Sequence, residues 1–271
     1  NPGIPPGTDL ETITPEESQV IQAILLDIEG TTCPVDFVSK TLFPFAQKHL
    51  STTLATRKDK PEIASLVEDA IHEWSHDSDP TSQTLWKQLK QNPPSIQEVE
   101  AYLEHLIKAD RKSTALKDLQ GMIWKQGYQS GQLKSPLFKD VRPQLDAWKQ
   151  QGLVLAVYSS GSIQAQKLLY SHTEEGDLSD CFDQWFDTHT GPKLDALSYQ
   201  MIAQKLGITV DQVLFVSDHP AECDAAQQAG MHVVFCVRDG NPHQDPGNHP
   251  VARQFSDIDV NNIPVIQNSR P

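Results

Sequence analysis

Four short apolar runs recur along this chain, and each stops abruptly at polar residues. Val20 to Asp27 leads into Ile28-Glu29-Gly30-Thr31-Thr32, and Leu153 to Tyr158 ends in Ser159-Ser160-Gly161-Ser162. Val213 to Val216 ends in Ser217-Asp218, and His232 to Val237 ends in Arg238-Asp239-Gly240. A short run that is apolar throughout, rather than alternating, suits a strand buried on both faces, as in a parallel sheet. Helical patterns lie between the runs. Leu197, Met201, Ile202 and Leu206 have helix spacing, and Ala221 to Ala229 is closed by Gly230 as a C-cap. Strand and helix in alternation predict an α/β fold, a Rossmann-like doubly wound parallel sheet covered on both faces.

One interval breaks the alternation. About a hundred residues, from Cys33 to Ser135, separate the first two runs, where a simple crossover needs roughly a dozen. The interval reads as helices. Phe37, Val38, Thr41, Leu42 and Phe45 form one apolar stripe, and Ile63, Leu66, Val67, Ala70, Ile71 and Trp74 form a second. Val99, Leu103, Leu106 and Ile107 make a third, and Leu116, Leu119, Ile123 and Trp124 a fourth. Asn92-Pro93-Pro94 interrupts the middle, and Ser95 with Glu98 has capping-box spacing. The expected organisation is a Pro-rich extended tail over residues 1–18, a core from 19–34 and 136–271, and an inserted helical cap over 35–135.

Composition narrows the class. The 36 acidic against 22 basic residues give a formal charge of -14, which repels nucleic acid and anionic membrane, so neither is an expected partner. Apolar runs such as Ala23 to Leu26 fall far short of the ~18 residues of a membrane span, and the N-terminal stretch lacks the basic-then-apolar pattern of a secretory signal. The four cysteines, Cys33, Cys181, Cys223 and Cys236, form no C-x-x-C pair, which fits a reducing, cytoplasmic setting.

Ligands of open parallel sheets bind beyond the carboxyl ends of the strands, so the polar residues there belong together. They are Asp27, Glu29, Ser159, Ser160, Asp218 and Glu222, with Lys193 in a loop before a later helix and Ser162 placed one turn into the helix after the serines. Carboxylates suit a hard cation such as magnesium, a lysine and hydroxyls suit phosphate oxygens, and a free carboxylate oxygen can attack phosphorus. Each residue also has an ordinary structural use. Asp27 could cap a turn, Glu29 and Lys193 could be solvated, the serines could be N-caps, and Asp218 and Glu222 could favour a helix N-terminus. Their joint order is what points to phosphoryl transfer. The ten histidines show no metal-ligand spacing, and His219 and Pro220 receive no role.

In that order the residues resemble the haloacid dehalogenase superfamily, whose D-x-D-G-T motif is similar to Asp27-Ile28-Glu29-Gly30-Thr31, with Glu29 in place of the common aspartate. That departure, with Thr114-Ala115-Leu116-Lys117-Asp118-Leu119-Gln120-Gly121 and Tyr158-Ser159-Ser160-Gly161-Ser162, resembles the enolase-phosphatase (acireductone synthase) family over roughly residues 20 to 240. The resemblance implies one Mg2+ per subunit and a phosphorylated diketone, 2,3-diketo-5-methylthiopentyl 1-phosphate, enolised and dephosphorylated to acireductone in methionine salvage. It implies Asp27 as nucleophile, Glu29 as acid/base, and Asp27, Glu29 (through its carbonyl) and Asp218 as metal ligands. Ser159, Ser160 and Lys193 would hold the phosphate, with Glu222 in support. A monomer is expected, in the cytoplasm with the nucleus as a second compartment. The base for enolisation is left open between Glu29, Lys193 and a cap residue; Arg111, Lys112 and Thr114 are cap candidates, although a charged helix face is usually solvated. The alternatives are a generic capped phosphatase, a catalytically silent interaction module, or a dehalogenase, which would leave Asp218 and Glu222 without a use.

Overall fold

A computed structural model describes residues 20–263, so the expected tail over 1–18 lies outside the described residues. Six parallel strands form one sheet in the order β3-β2-β1-β4-β5-β6. They are β1 (Ala23–Leu26), β2 (Val154–Tyr158), β3 (Gln184–Phe186), β4 (Val213–Ser217), β5 (His232–Cys236) and β6 (Val251–Ala252). Side chains alternate across the pleat, and both faces are buried. Ile24, Leu26, Leu155, Val157, Leu214 and Val216 face one apolar cluster. Ala23, Leu25, Ala156, Tyr158, Val213 and Phe215 face the other, so the continuous apolar runs follow directly from two-sided burial.

α7 (Val141–Gln150) and α8 (Ile163–Ser171) send Leu145, Trp148, Leu169 and Tyr170 into the first cluster. α9 (Ala196–Leu206) and α10 (Pro220–Ala229) cover the second with Tyr199, Ile202, Ala203, Cys223 and Ala226. Leu197 and Met201 are exposed, and the buried face of α9 is rotated toward Tyr199, whose hydroxyl donates to the Lys193 carbonyl at 2.6 Å. Apolar periodicity missed a tyrosine that buries its ring while keeping one polar bond. Gly230 ends α10 in the left-handed conformation, as a C-cap.

The long interval is an inserted helical cap. It comprises α1 (Val35–Phe37), a π turn over Val38–Leu42, α2 (Phe43–Arg57), α3 (Pro61–Ser75), α4 (Pro80–Lys87), α5 (Ile96–Lys108) and α6 (Thr114–Gln129). Ser95 and Glu98 make both bonds of a capping box at α5. Leu50, Leu54, Ile63, Trp74, Val99, Leu103 and Leu119 are continuous with the first sheet cluster. Gly127 of α6 allows close approach to α2, since a Cβ there would lie 2.6 Å from the Phe45 ring.

Candidate active site

The sheet order reverses direction at β1, and register brings the strand ends level. Leu26 pairs with Val157 on one side and Val216 on the other, so Asp27 lies beside Tyr158 and Ser217, with Ser159 and Asp218 one residue further out. This is the crevice where doubly wound sheets bind ligands.

Asp27 is buried, 6% exposed, yet richly bonded. Its Oδ1 accepts from the Ile28 amide at 2.8 Å and from Lys193 Nζ at 2.8 Å. Its Oδ2 accepts from Ser217 Oγ at 3.3 Å. Lys193 Nζ also lies 3.0 Å from Glu222 Oε2, which Ser217 Oγ contacts at 2.9 Å. One lysine and one hydroxyl thus tie Asp27 to Glu222. Burial alone would lower the Lys193 ammonium, but Asp27 and then Glu222 outweigh it and hold it above its ordinary value, fully charged.

The acids are shifted the other way. Asp218, also 6% exposed, lies within hydrogen-bonding reach of Asp27, and burial followed by the Asp27 charge pushes it up to about 8. The same two causes, in that order, push Glu222 up to about 7 and raise half-buried Glu29, with Lys193 partly opposing both. Four carboxylates crowd around one ammonium, a set that a hard divalent cation would relieve. Among the described residues no three Asp, Glu, His or Cys side chains converge as a metal-binding group. The Asp27 and Asp218 carboxylates, within hydrogen-bonding reach of each other, are the pair that could hold such a cation, and two carboxylates suit the small protein ligand count and retained waters of magnesium.

Gly30 makes this possible. Its φ of 75° is left-handed, and a Cβ would fall 2.2 Å from Asp218 Oδ2. Any other residue would be strained and would displace the acid.

Ser159 is buried and Ser160 exposed, in the turn that precedes α8. Ser159 Oγ lies 3.4 Å from the Gly161 amide. Ser162 is the N-cap of α8, its Oγ accepting from Ala165 at 3.1 Å, and not a residue one turn inside it. The turn is pinned by Gln166, whose Nε2 donates to the Gly161 and Phe186 carbonyls at 2.9 and 2.8 Å. No bond joins either serine to Asp27 directly. What places them together is the strand register.

Arg111 does not reach the site. Its Nη1 donates to Asp77 Oδ2 at 2.6 Å inside the cap, while Lys112 and Thr114 are exposed. The cap residue that meets the core here is Lys117, on the first turn of α6, with Nζ 3.4 Å from the Ser160 carbonyl. Ser217, Gln166 and the segment after β5 escaped the sequence reading, and Lys117 entered it only as part of the family-like stretch from Thr114 to Gly121. Ser217 and Arg238 stood at strand ends and could have been weighed, but Gln166 carries no local signal.

A buried strand-end aspartate bound to a lysine, with two further acids after β4, defines the haloacid dehalogenase-like class. The family model described as haloacid dehalogenase-like hydrolase matches residues 21–230. An Enolase-phosphatase E1 of Synechococcus sp. (strain WH7803) is 54% identical over 88% of this chain and 99% of its own length. One of Prochlorococcus marinus (strain MIT 9313) is 52% identical over 85% and 94%. The chain belongs to the enolase-phosphatase E1 family of haloacid dehalogenase-like hydrolases. The crystal structure of the UTR4 protein of Saccharomyces cerevisiae superposes with a TM-score of 0.71 at 31% identity, covering 88% of this chain and all of that one. An L-2-haloacid dehalogenase, at 18% identity and a TM-score of 0.51, shares the fold alone. Among the described residues no helix is long and apolar enough to cross a membrane. The two curated relatives are bacterial, which gives the nuclear expectation no support.

Proposed function

We propose that this protein is a magnesium-dependent enolase-phosphatase that converts 2,3-diketo-5-methylthiopentyl 1-phosphate to acireductone and phosphate. The observation that carries the reading is the buried Asp27 carboxylate held by Lys193 at 2.8 Å beside the raised acid Asp218. Magnesium, bound by Asp27, Asp218 and the Glu29 carbonyl, would supply Lewis-acid polarisation and neutralise charge on the transferring phosphoryl group.

The residues divide the work. Lys193 and the Ile28 amide fix the Asp27 carboxylate, so that one oxygen can attack phosphorus in line with the departing substrate oxygen. The phosphorus–oxygen bond to the enediol breaks as the bond to Asp27 forms. Glu29, whose proton affinity is raised by burial and then by the Asp27 charge, protonates the departing oxygen. As a carboxylate it then takes a proton from the water that cleaves the aspartyl-phosphate. Lys193, with the Ser159 and Ser160 turn, balances charge on the phosphoryl oxygens.

Enolisation precedes this step and needs a base. Lys193 suits that role poorly, because Asp27 and Glu222 favour its charged form. Glu29 is then the strand-end candidate, with Lys117 closing the site from the cap and adding a cation for a dianionic ester.

The test is to mix protein and diketone phosphate with and without Mg2+, following ultraviolet absorbance and free phosphate together. The expected result is sequential enolisation and phosphate release that require the metal. Asp27→Asn should accumulate enediol phosphate while phosphate release falls more than a thousandfold, over ~4 kcal/mol. Release by this variant within about tenfold of wild type would remove Asp27 as nucleophile. Equal turnover of unrelated phosphate esters would favour a generic phosphatase.

A further inference from the structure

Behind the acids, the segment after β5 folds back onto the loop after β1. Arg238 sits against the Phe138 and Phe255 rings and is paired with Asp140, with Nη1 to Oδ1 at 2.6 Å and Nη2 to Oδ2 at 2.9 Å. Its Nε and Nη2 also donate to the Thr31 carbonyl at 3.2 and 2.9 Å. Three residues on, Asn241 is 6% exposed, and its Nδ2 donates to the Gly30 carbonyl at 2.9 Å. That bond settles which way the amide faces, because reversing it would set two carbonyl oxygens against each other.

The other end of the amide is unexplained by packing. Asn241 Oδ1 is buried and has no hydrogen-bond partner. Buried polar atoms in folded proteins are nearly always satisfied, so an orphan acceptor calls for a donor that the protein does not itself supply. Its position says where that donor belongs. Oδ1 lies 2.9 Å, and Asp218 Oδ2 2.2 Å, from the point where a Gly30 Cβ would sit. The orphan acceptor and the acid oxygen therefore border one small notch. Asn241 cannot move away easily. The Asn241 backbone N–H donates to the Arg238 carbonyl at 3.2 Å, and Gln244 Nε2 donates to the Asn241 and Arg238 carbonyls at 3.0 and 2.9 Å, so the loop that carries the side chain is itself held.

We infer that Asn241 is a positioning residue for the divalent cation, its Oδ1 accepting a hydrogen bond from a water of the cation's coordination shell. The inference rests on the magnesium-dependent reading above. Magnesium gives up its waters reluctantly, and an acceptor beside a ligating carboxylate orients such a water without entering the coordination shell. An asparagine needed only to anchor Gly30 would use Nδ2 and could leave its oxygen at the surface. Here the oxygen is buried next to the acid.

Two substitutions separate the roles. Asn241→Leu and Asn241→Asp both lose the Nδ2 bond to Gly30, but only aspartate keeps an acceptor facing the notch. Calorimetric titration of Mg2+ into metal-free protein, without substrate, reads the affinity, and urea unfolding without Mg2+ checks the fold. Leucine is expected to weaken Mg2+ binding on the order of tenfold to a hundredfold, while aspartate stays near wild type or binds more tightly. Asn241→Ala serves as a second acceptor-free variant if the leucine is not accommodated. Equal weakening by Leu, Ala and Asp would reduce Asn241 to an anchor for Gly30, and unchanged affinity in the acceptor-free variants would overturn the inference outright. Wild-type protein that takes up no Mg2+ would instead overturn the magnesium reading, and this one with it.

Discussion

The cap and the core each hold a cluster of acids, and the two are compensated in opposite ways. In the cap, Asp77 accepts from Arg111 at 2.6 Å, from Tyr102 at 3.1 Å and from the Asp79 amide at 2.9 Å. Although burial opposes it, these partners hold Asp77 well below the usual carboxylate range. Asp79 caps α4 through the Ser82 amide and meets His105 at 2.8 Å, and it too is lowered. In the core, Asp218, Glu222 and Glu29 crowd Asp27 around one lysine, and all three are raised. Donors satisfy the cap acids, whereas the core acids lack positive charge. An acid cluster that serves structure is complete in itself, and one that serves catalysis is completed by what it binds.

That contrast is tested most severely at Lys193, the only cation in contact with both Asp27 and Glu222 among the described residues. Lys193→Ala should lower kcat/KM for phosphate release on the order of a hundredfold or more, since it removes a preorganised charge at the reacting centre. Ser162→Ala should instead cost about 1 kcal/mol of stability and little rate, because the Ser162 side chain is an N-cap whose hydroxyl bonds the Ala165 amide. Steady-state kinetics on both variants decide the point. Similar rates would mean that Lys193 is a structural counter-ion like Arg111.

How far the sequence distinguishes the two clusters follows from where their signals lie. The core acids were legible because the fold collects strand ends, so Asp27, Glu29 and Asp218 stood at predictable places in order. Arg111 was not legible, because its partner Asp77 is on another helix and the charge pattern of the α5–α6 segment looks the same whether it faces solvent or a buried acid. Gln166, Lys117 and Asn241 act across the cap, the α8 turn and the β5 loop, contacts that exist only after folding. β3 and β6, three and two residues long, are too short to carry a pattern against their surroundings. Apolar spacing located α9, but not the turn of its buried face toward Tyr199, since Leu197 and Met201 lie exposed.

The cap cluster gives the converse test. Arg111→Met keeps much of the stem's packing but leaves Asp77, whose side chain is 6% exposed, without its cation. The expected loss is roughly 1–2 kcal/mol of stability, the range for a hydrogen bond to a charged group with a third of the arginine still exposed. kcat should not change, as Arg111 has no part in the site. Urea unfolding measures the first and steady-state kinetics the second. A large fall in kcat with stability intact would mean that the cap cluster takes part in catalysis.

The effect that sets the clusters directly against each other is the dependence of stability on pH. Asp77 is held below its ordinary value, so its contribution is fully present above about pH 4 and is lost as pH falls through the folded-state value. Glu222 and Asp218, raised to about 7 and about 8, bind protons more tightly in the folded chain than in the unfolded one. Without metal, stability from these two should therefore decline as pH rises from about 4 through 8, by less than ~1.4 kcal/mol per pH unit for each group. A cation between Asp27 and Asp218 favours the ionised acids, so Mg2+ binding should release protons near neutrality and tighten as pH rises. Thermal midpoints from pH 5 to 8.5, with and without saturating Mg2+, should diverge steadily toward alkaline pH in wild type. In Arg111→Met both curves should fall by a similar amount across this range, because the Asp77 contribution is already fully present above about pH 4, and the gap between them should stay the same, because the cap cluster does not see the cation. A Mg2+ increment that is constant across this range would mean that the core acids are already ionised without metal, and the contrast between the two clusters would fail at its stronger end.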